Sequence, residues 1–193
     1  FAPGNDPINN IPFLATLACV VKGVDEYSDL LRLTIASASN DHRLGGNEAP
    51  PAIVSMFLGE GLNSVIDSII NDTKLTNQKK TRFQTGVSVI PDFSKDTTDR
   101  NRTSPFAYTG NKFEFRGVGS SQSIANVNTI LNAILAIEMK EMSQKLESGI
   151  PLKDILKEYF ANHKRIIFEG DGYSLSWQEE AKRRGLPNRT NTV

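Results

Sequence analysis

Residues 111–116, Asn-Lys-Phe-Glu-Phe-Arg, alternate polar and aromatic side chains with period two, whereas the longer patterned segments around them repeat apolar residues at helical spacing. A strand of this kind cannot stand by itself. Phe113 and Phe115 point to one side and need cover, which the helices have to supply. Lys112, Glu114 and Arg116 then share the opposite face, with successive polar groups roughly 7 Å apart along the strand. Helices dominate and strands are few, so the expected fold class is α+β, in the form of an incomplete domain.

The helical segments can be placed from caps and spacing. Asn10 and Pro12 start a helix carrying Phe13, Leu14, Leu17, Val20 and Val21, which Gly23 is expected to end. Asp25 caps a second, with Tyr27, Leu30, Leu31 and Ile35 as its apolar members, and a loop holding Gly45 and Gly46 follows. Helical patterning resumes from Pro50, interrupted at Gly59 and Gly61, with a stripe of Leu62, Val65, Ile66, Ile69 and Ile70 that Asn71 and Asp72 close. Val87, Val89 and Ile90 predict a short strand and residues 91–100 a loop. Long helices are expected over residues 124–146 and 151–160. Residues 165–168 read as strand, Gly170 to Gly172 as a turn, and residues 174–184 as an amphipathic helix stopped by Gly185. There is no internal repeat and no low-complexity linker.

Composition permits a single sizeable core. The chain has 193 residues, 38% of them hydrophobic and 23% charged, as in an ordinary globular protein. Lys and Arg number 22 and Asp and Glu 22, so no global field draws in nucleic acid or an anionic membrane, and any affinity for anions has to be local. The single cysteine, Cys19, excludes an internal disulfide and fits a reducing compartment. No apolar run approaches the ~20 residues of a membrane span, and the amino terminus lacks the basic and apolar regions of a signal peptide. A cytoplasmic protein is expected, with the Asn-x-Thr sequons at Asn71, Asn101 and Asn188 unused. Both ends read as cut from something larger: the first residue is not methionine, and Val193 follows Arg-Thr-Asn-Thr without a stop signal.

Two constellations carry chemistry. In residues 40–51, NDHRLGGNEAPP, Arg43 offers a planar fork of donors suited to a carboxylate and Glu48 a base on a glycine-softened segment. From this loop alone, charges that favour helix ends are the simpler reading of both. In residues 98–121, TDRNRTSPFAYTGNKFEFRGVGSS, Arg100, Arg102, Lys112 and Arg116 surround hydroxyls and a glycine, a set suited to phosphoryl groups. Glu114 among them is either an ion-pair partner or a metal ligand. Other features reduce to turns and solvated charge. His42 and His163 have no zinc spacing, neither Gly59-Glu60-Gly61 nor Gly170-Asp171-Gly172 is a phosphate loop, and the 79–82 and 182–184 basic runs are surface patches.

In this order, with Ala125-Asn126 opening a long helix and IIFEGDGYSLSWQEEAKRRGLPN closing the chain, the constellations resemble glutamine synthetase of the type III class. Nearly the whole chain fits. The resemblance implies that residues 1–193 are a carboxyl-terminal part of the catalytic domain, helices on a partial and mainly antiparallel sheet, without the amino-terminal β domain and the upstream metal ligands. It implies ATP-dependent amidation of glutamate by ammonia through γ-glutamyl phosphate, with Mg2+ or Mn2+, in a large homo-oligomer that engages neither nucleic acid nor membrane. The isolated segment is expected to be inactive.

By position, Glu114 matches a glutamate that ligates metal, and Arg116 and Arg43 match arginines that hold the substrate glutamate. Lys112 stands where an arginine commonly meets nucleotide phosphate, Arg102 matches the arginine that steadies the transferring phosphate, and Glu48 the flap glutamate that helps deprotonate ammonium. One departure concerns the stretch after Asn101-Arg102-Thr103, where better-known classes carry a further arginine and this chain has Ser104-Pro105-Phe106-Ala107. Phosphate neutralisation there falls to Arg100 or to a residue outside the segment. Two other readings stand beside this one: a related ligase that amidates glutamate with another amine, and a non-enzymatic anion-binding module.

Overall fold

A computed structural model describes residues 4, 9–46, 49–73, 103–110 and 112–192, together with the backbone of two short strands at 82–83 and 93–94. The expected strand at Val87, Val89 and Ile90 lies outside the described residues, as do Glu48, Arg100 and Arg102.

Helix α1 (Ile11–Glu26) begins where the caps predict, with Asn10 Oδ1 accepting from the Phe13 amide at 3.1 Å. It is apolar on most of its circumference because α5 (Ala125–Glu147), α6 (Leu152–His163) and the strands surround it. Phe13, Leu14, Leu17, Val21 and Val24 are all buried. Gly23 does not end the helix, contrary to expectation. A Cβ there would sit 2.4 Å from Ile134 Cγ2, so glycine is where α5 comes closest. Asp25 likewise lies inside α1, buried, where it accepts from Arg165 Nε at 2.9 Å and pairs with His163 Nδ1 at 2.8 Å rather than capping the next helix. Lys22, also buried, reaches Glu138 and Glu141 of α5.

Helices α2 (Ser28–Thr34) and α3 (Ala38–Arg43) follow; Ser37 caps α3 by accepting from the Asn40 amide at 3.1 Å. From Pro50 the chain is extended rather than helical. Its prolines and β-branched residues lead into strand β1 (Met56–Phe57), and helix α4 (Glu60–Ile70) begins only at Gly59, whose φ of 85° turns the chain. Glu169, distant in sequence, accepts from the Leu58 and Gly59 amides at 3.0 and 3.1 Å and supplies the negative charge that a helix start favours.

Strands β2 (Arg82–Phe83) and β3 (Phe93–Ser94) pair antiparallel, so the expected loop 91–100 contains a short strand. Strand β4 (Phe106–Tyr108) lies between β1, to which it is parallel, and β5 (Phe113–Phe115), to which it is antiparallel. Met56 also bridges to Ile167, just after a 3-10 turn at Lys164–Ile166, so the strand expected at 165–168 reduces to one pairing. The architecture is the α+β one expected, helices on a small and partial sheet; that sheet has one parallel and one antiparallel ladder, and the separate β2–β3 pair is antiparallel.

Helix α7 (Leu175–Arg183) is capped by Ser174 and stopped by Gly185 at φ 73°. It anchors a second, smaller core of Ile53, Trp177, Ala181 and Leu186, where Phe168 stacks on Trp177 at 3.7 Å. The last residues run back over the first third of the chain. The Arg189 amide donates to the Ala52 carbonyl at 3.3 Å, its guanidinium pairs with Asp29, and Thr192 donates to Asp41.

Candidate functional site

The β4–β5 hairpin sorts its side chains as the period-two pattern demands. Phe106 faces Phe115 and Tyr108 faces Phe113 across the ladder, and Phe113 packs within 5.6 Å of Phe106 and 5.3 Å of Tyr108. Phe113 and Phe115 are half-buried rather than fully buried, because they meet the main core along its margin. On the opposite face Glu114 sits between two cations. Lys112 Nζ lies 3.3 Å from Oε1, and Arg116 Nε and Nη2 each donate to Oε2 at 3.3 Å. Lys112 first and Arg116 second hold the Glu114 carboxyl below its ordinary range, so it is an anion at neutral pH.

The helical side of the site is built around Asn40. Buried in α3, it donates to the carbonyls of Ile35 and Gly117 at 2.7 and 3.0 Å and accepts from Arg43 Nε at 2.9 Å. Arg43 Nη2 donates to the same Gly117 carbonyl at 3.1 Å. Glycine is needed at 117 because a Cβ would press to 2.6 Å from Ile35 Cδ1. The helix-end role for Arg43 is therefore met, since it sits in the last turn of α3, yet its guanidinium is also fixed beside the residue that follows Arg116. Leu44 and Ala49 pair, and the Gly45 amide donates to the carbonyls of Ala49 and Pro50 at this edge. Glu48 lies outside the described residues.

Between hairpin and helices opens a cleft of about 690 Å3. Arg32, Arg43, Glu114, Arg116 and Tyr173 line it with Ser104, Pro50, Pro51 and Ile53. The structure thus brings together three of the sequence-predicted residues, Arg43, Glu114 and Arg116. Lys112 stays beside Glu114 but outside the cleft lining, with most of its side chain exposed. Arg102 lies outside the described residues; Thr103 and Ser104, immediately after it, are buried, and Ser104 lines the cleft.

Two lining residues were not foreseen. Arg32 lay in the second expected helix, and Tyr173 between the expected turn at Gly170 to Gly172 and the helix from residue 174; neither carries a local signal, since both reach the cleft through contacts distant in sequence. Chemically the cleft offers guanidinium groups on both walls, one carboxylate and an apolar lining, which suits a small anionic molecule with an aliphatic body.

Glu114 has the oxygen chemistry a hard divalent cation takes. Among the described residues, however, no group of three or more His, Cys, Asp or Glu side chains could hold a metal ion, so one ligand is what these residues offer.

Residues 151–193, spanning α6, α7 and Tyr173, match the family model for the glutamine synthetase C-terminal domain. Over 97% of its length the chain is 47% identical to a glutamine synthetase from Bacteroides fragilis (strain YCH46). Over 98% it is 44% identical to a type-3 glutamine synthetase from Dictyostelium discoideum, and over 96% it is 45% identical to a glutamine synthetase from Butyrivibrio fibrisolvens. In each case it spans 27% of the relative's length. With the matched carboxyl-terminal model and this near-complete similarity to a type-3 relative, the chain belongs to the glutamine synthetase family.

Proposed function

We propose that residues 1–193 form a carboxyl-terminal part of the catalytic domain of a glutamate–ammonia ligase, and that the cleft holds the substrate glutamate. The observation that carries this reading is the convergence of Arg43, Glu114 and Arg116 on one cavity from separate parts of the chain. Family membership supplies the reaction class. ATP supplies a phosphoryl group to the γ-carboxylate, giving γ-glutamyl phosphate, which ammonia converts to glutamine with release of phosphate and a proton.

The difficulty the protein faces is electrostatic, because two anions have to be brought together. Arg116 and Arg43 are suited to neutralise and orient the glutamate carboxylates in a site lined by apolar groups, where charge pairing is stronger than in water. Glu114 would be one ligand of Mg2+ or Mn2+, which when bound would screen the phosphate charge, with the remaining ligands supplied from outside residues 1–193. Lys112, beside Glu114, faces nucleotide phosphate. Arg102 steadies the transferring group, and Glu48 shields the intermediate and takes a proton from ammonium. A cytoplasmic setting and a large homo-oligomer complete the proposal.

The test is an assay of the natural polypeptide in full for glutamine and phosphate with glutamate, ATP and ammonia, and with methylamine or polyamines in place of ammonia. Equal, ATP-dependent release of glutamine and phosphate supports the reading; preferential use of another amine favours the related γ-glutamyl-amine ligase. Absence of both products overturns it. Residues 1–193 alone should form no glutamine above a Glu114→Ala control.

A further inference from the structure

Arg32 is 2% exposed, comes from α2 and lines the cleft on the same side as Arg43. Its Nε donates to the Arg189 carbonyl at 2.9 Å and its Nη2 to Asp41. Nη1 is buried with no acceptor, the one guanidinium nitrogen so placed among the described residues. A structural clamp between α3 and the last residues uses Nε and Nη2 and gives no reason for an arginine whose third nitrogen is dehydrated and unpaired, an arrangement that is costly to keep. A single donor of this kind, on a residue that lines the cleft, is chemically matched to one oxygen of an anion.

We infer that Arg32 is a further substrate-binding residue whose Nη1 donates to the carboxylate of glutamate that does not react. This rests on the glutamate-binding reading above. The reacting carboxylate has to lie toward the strand wall, where Glu114 and Arg116 sit together; the helical wall of Arg32 and Arg43 is then left for the α-carboxylate. Arg43 is already engaged with Asn40 and the Gly117 carbonyl, so Arg32 adds a deeper donor that fixes how far the substrate enters. Ligands that lack an α-carboxylate have nothing to offer this donor, so their binding does not depend on it.

The experiment uses the natural polypeptide in full and measures binding of L-glutamate, glutarate and 4-aminobutyrate to the wild type and to Arg32→Lys and Asp41→Asn. Lysine keeps the charge but cannot serve Asp41, Arg189 and a ligand at once. Arg32→Lys is expected to weaken glutamate and glutarate about tenfold or more, the loss of one charge-assisted hydrogen bond, and to leave 4-aminobutyrate unchanged. Asp41→Asn loosens the clamp without removing Nη1 and should weaken all three ligands alike or none.

A parallel loss for all three ligands in Arg32→Lys makes Arg32 a clamp only and overturns the inference. Wild-type protein that fails to bind glutamate removes the parent reading as well, whereas normal binding by Arg32→Lys removes this inference alone. A measurement on the wild type needs no variant: glutamate, and not 4-aminobutyrate, should slow exchange of the Arg32 guanidinium protons in a 15N-arginine spectrum. Slowing by inorganic phosphate instead reassigns the donor to a phosphoryl oxygen and overturns the carboxylate assignment.

Discussion

Gly172 lies so close to Thr103 that a Cβ there would come within 2.6 Å of the Thr103 carbonyl oxygen. The turn at 170–173 therefore backs the segment that follows Arg102, and it presents Tyr173 to the cleft from the same few residues. Alanine at 172 must push one of two backbones away, at a cost of about 1 to 3 kcal/mol. Gly61, in the first turn of α4, has nothing within 4 Å of such a Cβ. Urea unfolding should show Gly172→Ala destabilised by that amount and Gly61→Ala unchanged or up to ~1 kcal/mol more stable.

Lys22 and Glu138 make a buried ion pair between α1 and α5, with Glu138 wholly inaccessible. Burial alone would lower Lys22, but its bonds to Glu138, Glu141 and Glu26 reverse this and push it above its ordinary value. Lys22→Met leaves a buried carboxylate without its cation and should cost about 3 to 5 kcal/mol. The double variant Lys22→Met, Glu138→Leu should recover most of that loss, since apolar packing of similar volume can replace a buried pair. A double-mutant cycle in urea checks both numbers.

Asp41 ties Arg32 to Thr192, and Thr192 first, with Arg32, holds its carboxyl down to about 2. A folded value below the unfolded 3.8 means that the contribution is complete above pH ~4 and is lost as pH falls through the folded value near 2. Melting temperature followed from pH 5 to 2 should therefore fall less steeply for Asp41→Asn than for the wild type. The variant should start lower at pH 5 and converge with the wild type in acid.

Arg116 and Glu48 have different tasks under the proposed function, and kinetics of the natural polypeptide in full should separate them. Arg116 holds glutamate in ground and transition states alike, so Arg116→Ala should chiefly raise KM for glutamate, by about 2 to 5 kcal/mol in binding terms. Glu48→Gln should slow amidation while phosphate release by water stays level or rises, because a loosened loop admits solvent. Parallel counts of phosphate and glutamine decide it. One-to-one coupling at normal speed in Glu48→Gln removes Glu48 from the mechanism.

The hairpin was legible because its information is local: alternation around Glu114 dictates which side chains share a face, and Phe113 and Phe115 follow. The helix start at Asn10 and the helix that Gly185 stops were legible for the same reason. What misled was glycine and proline read as punctuation. Gly23 is a point of close helix approach rather than a terminus, and Pro50 and Pro51 open an extended run instead of a helix. Asp25 read as a cap because its partners, His163 and Arg165, are far along the chain. Arg32 was missed for that reason too, since its neighbours Leu31 and Leu33 give no hint that Asp41 and Arg189 will take hold of it.

Met56 pairs with Phe106 on one side and Ile167 on the other, so the first, middle and last thirds of this stretch meet at a single residue. A chain emerging from the ribosome cannot complete that junction until Ile167 has cleared the exit tunnel. Until then Met56 and Phe57 present an unpaired strand edge, apolar and open to other chains. The cleft rests on this junction, since the strands that carry its charged wall are ordered by it. Its assembly therefore comes after synthesis of most of the stretch, and through that interval folding competes with pairing of this edge to other chains.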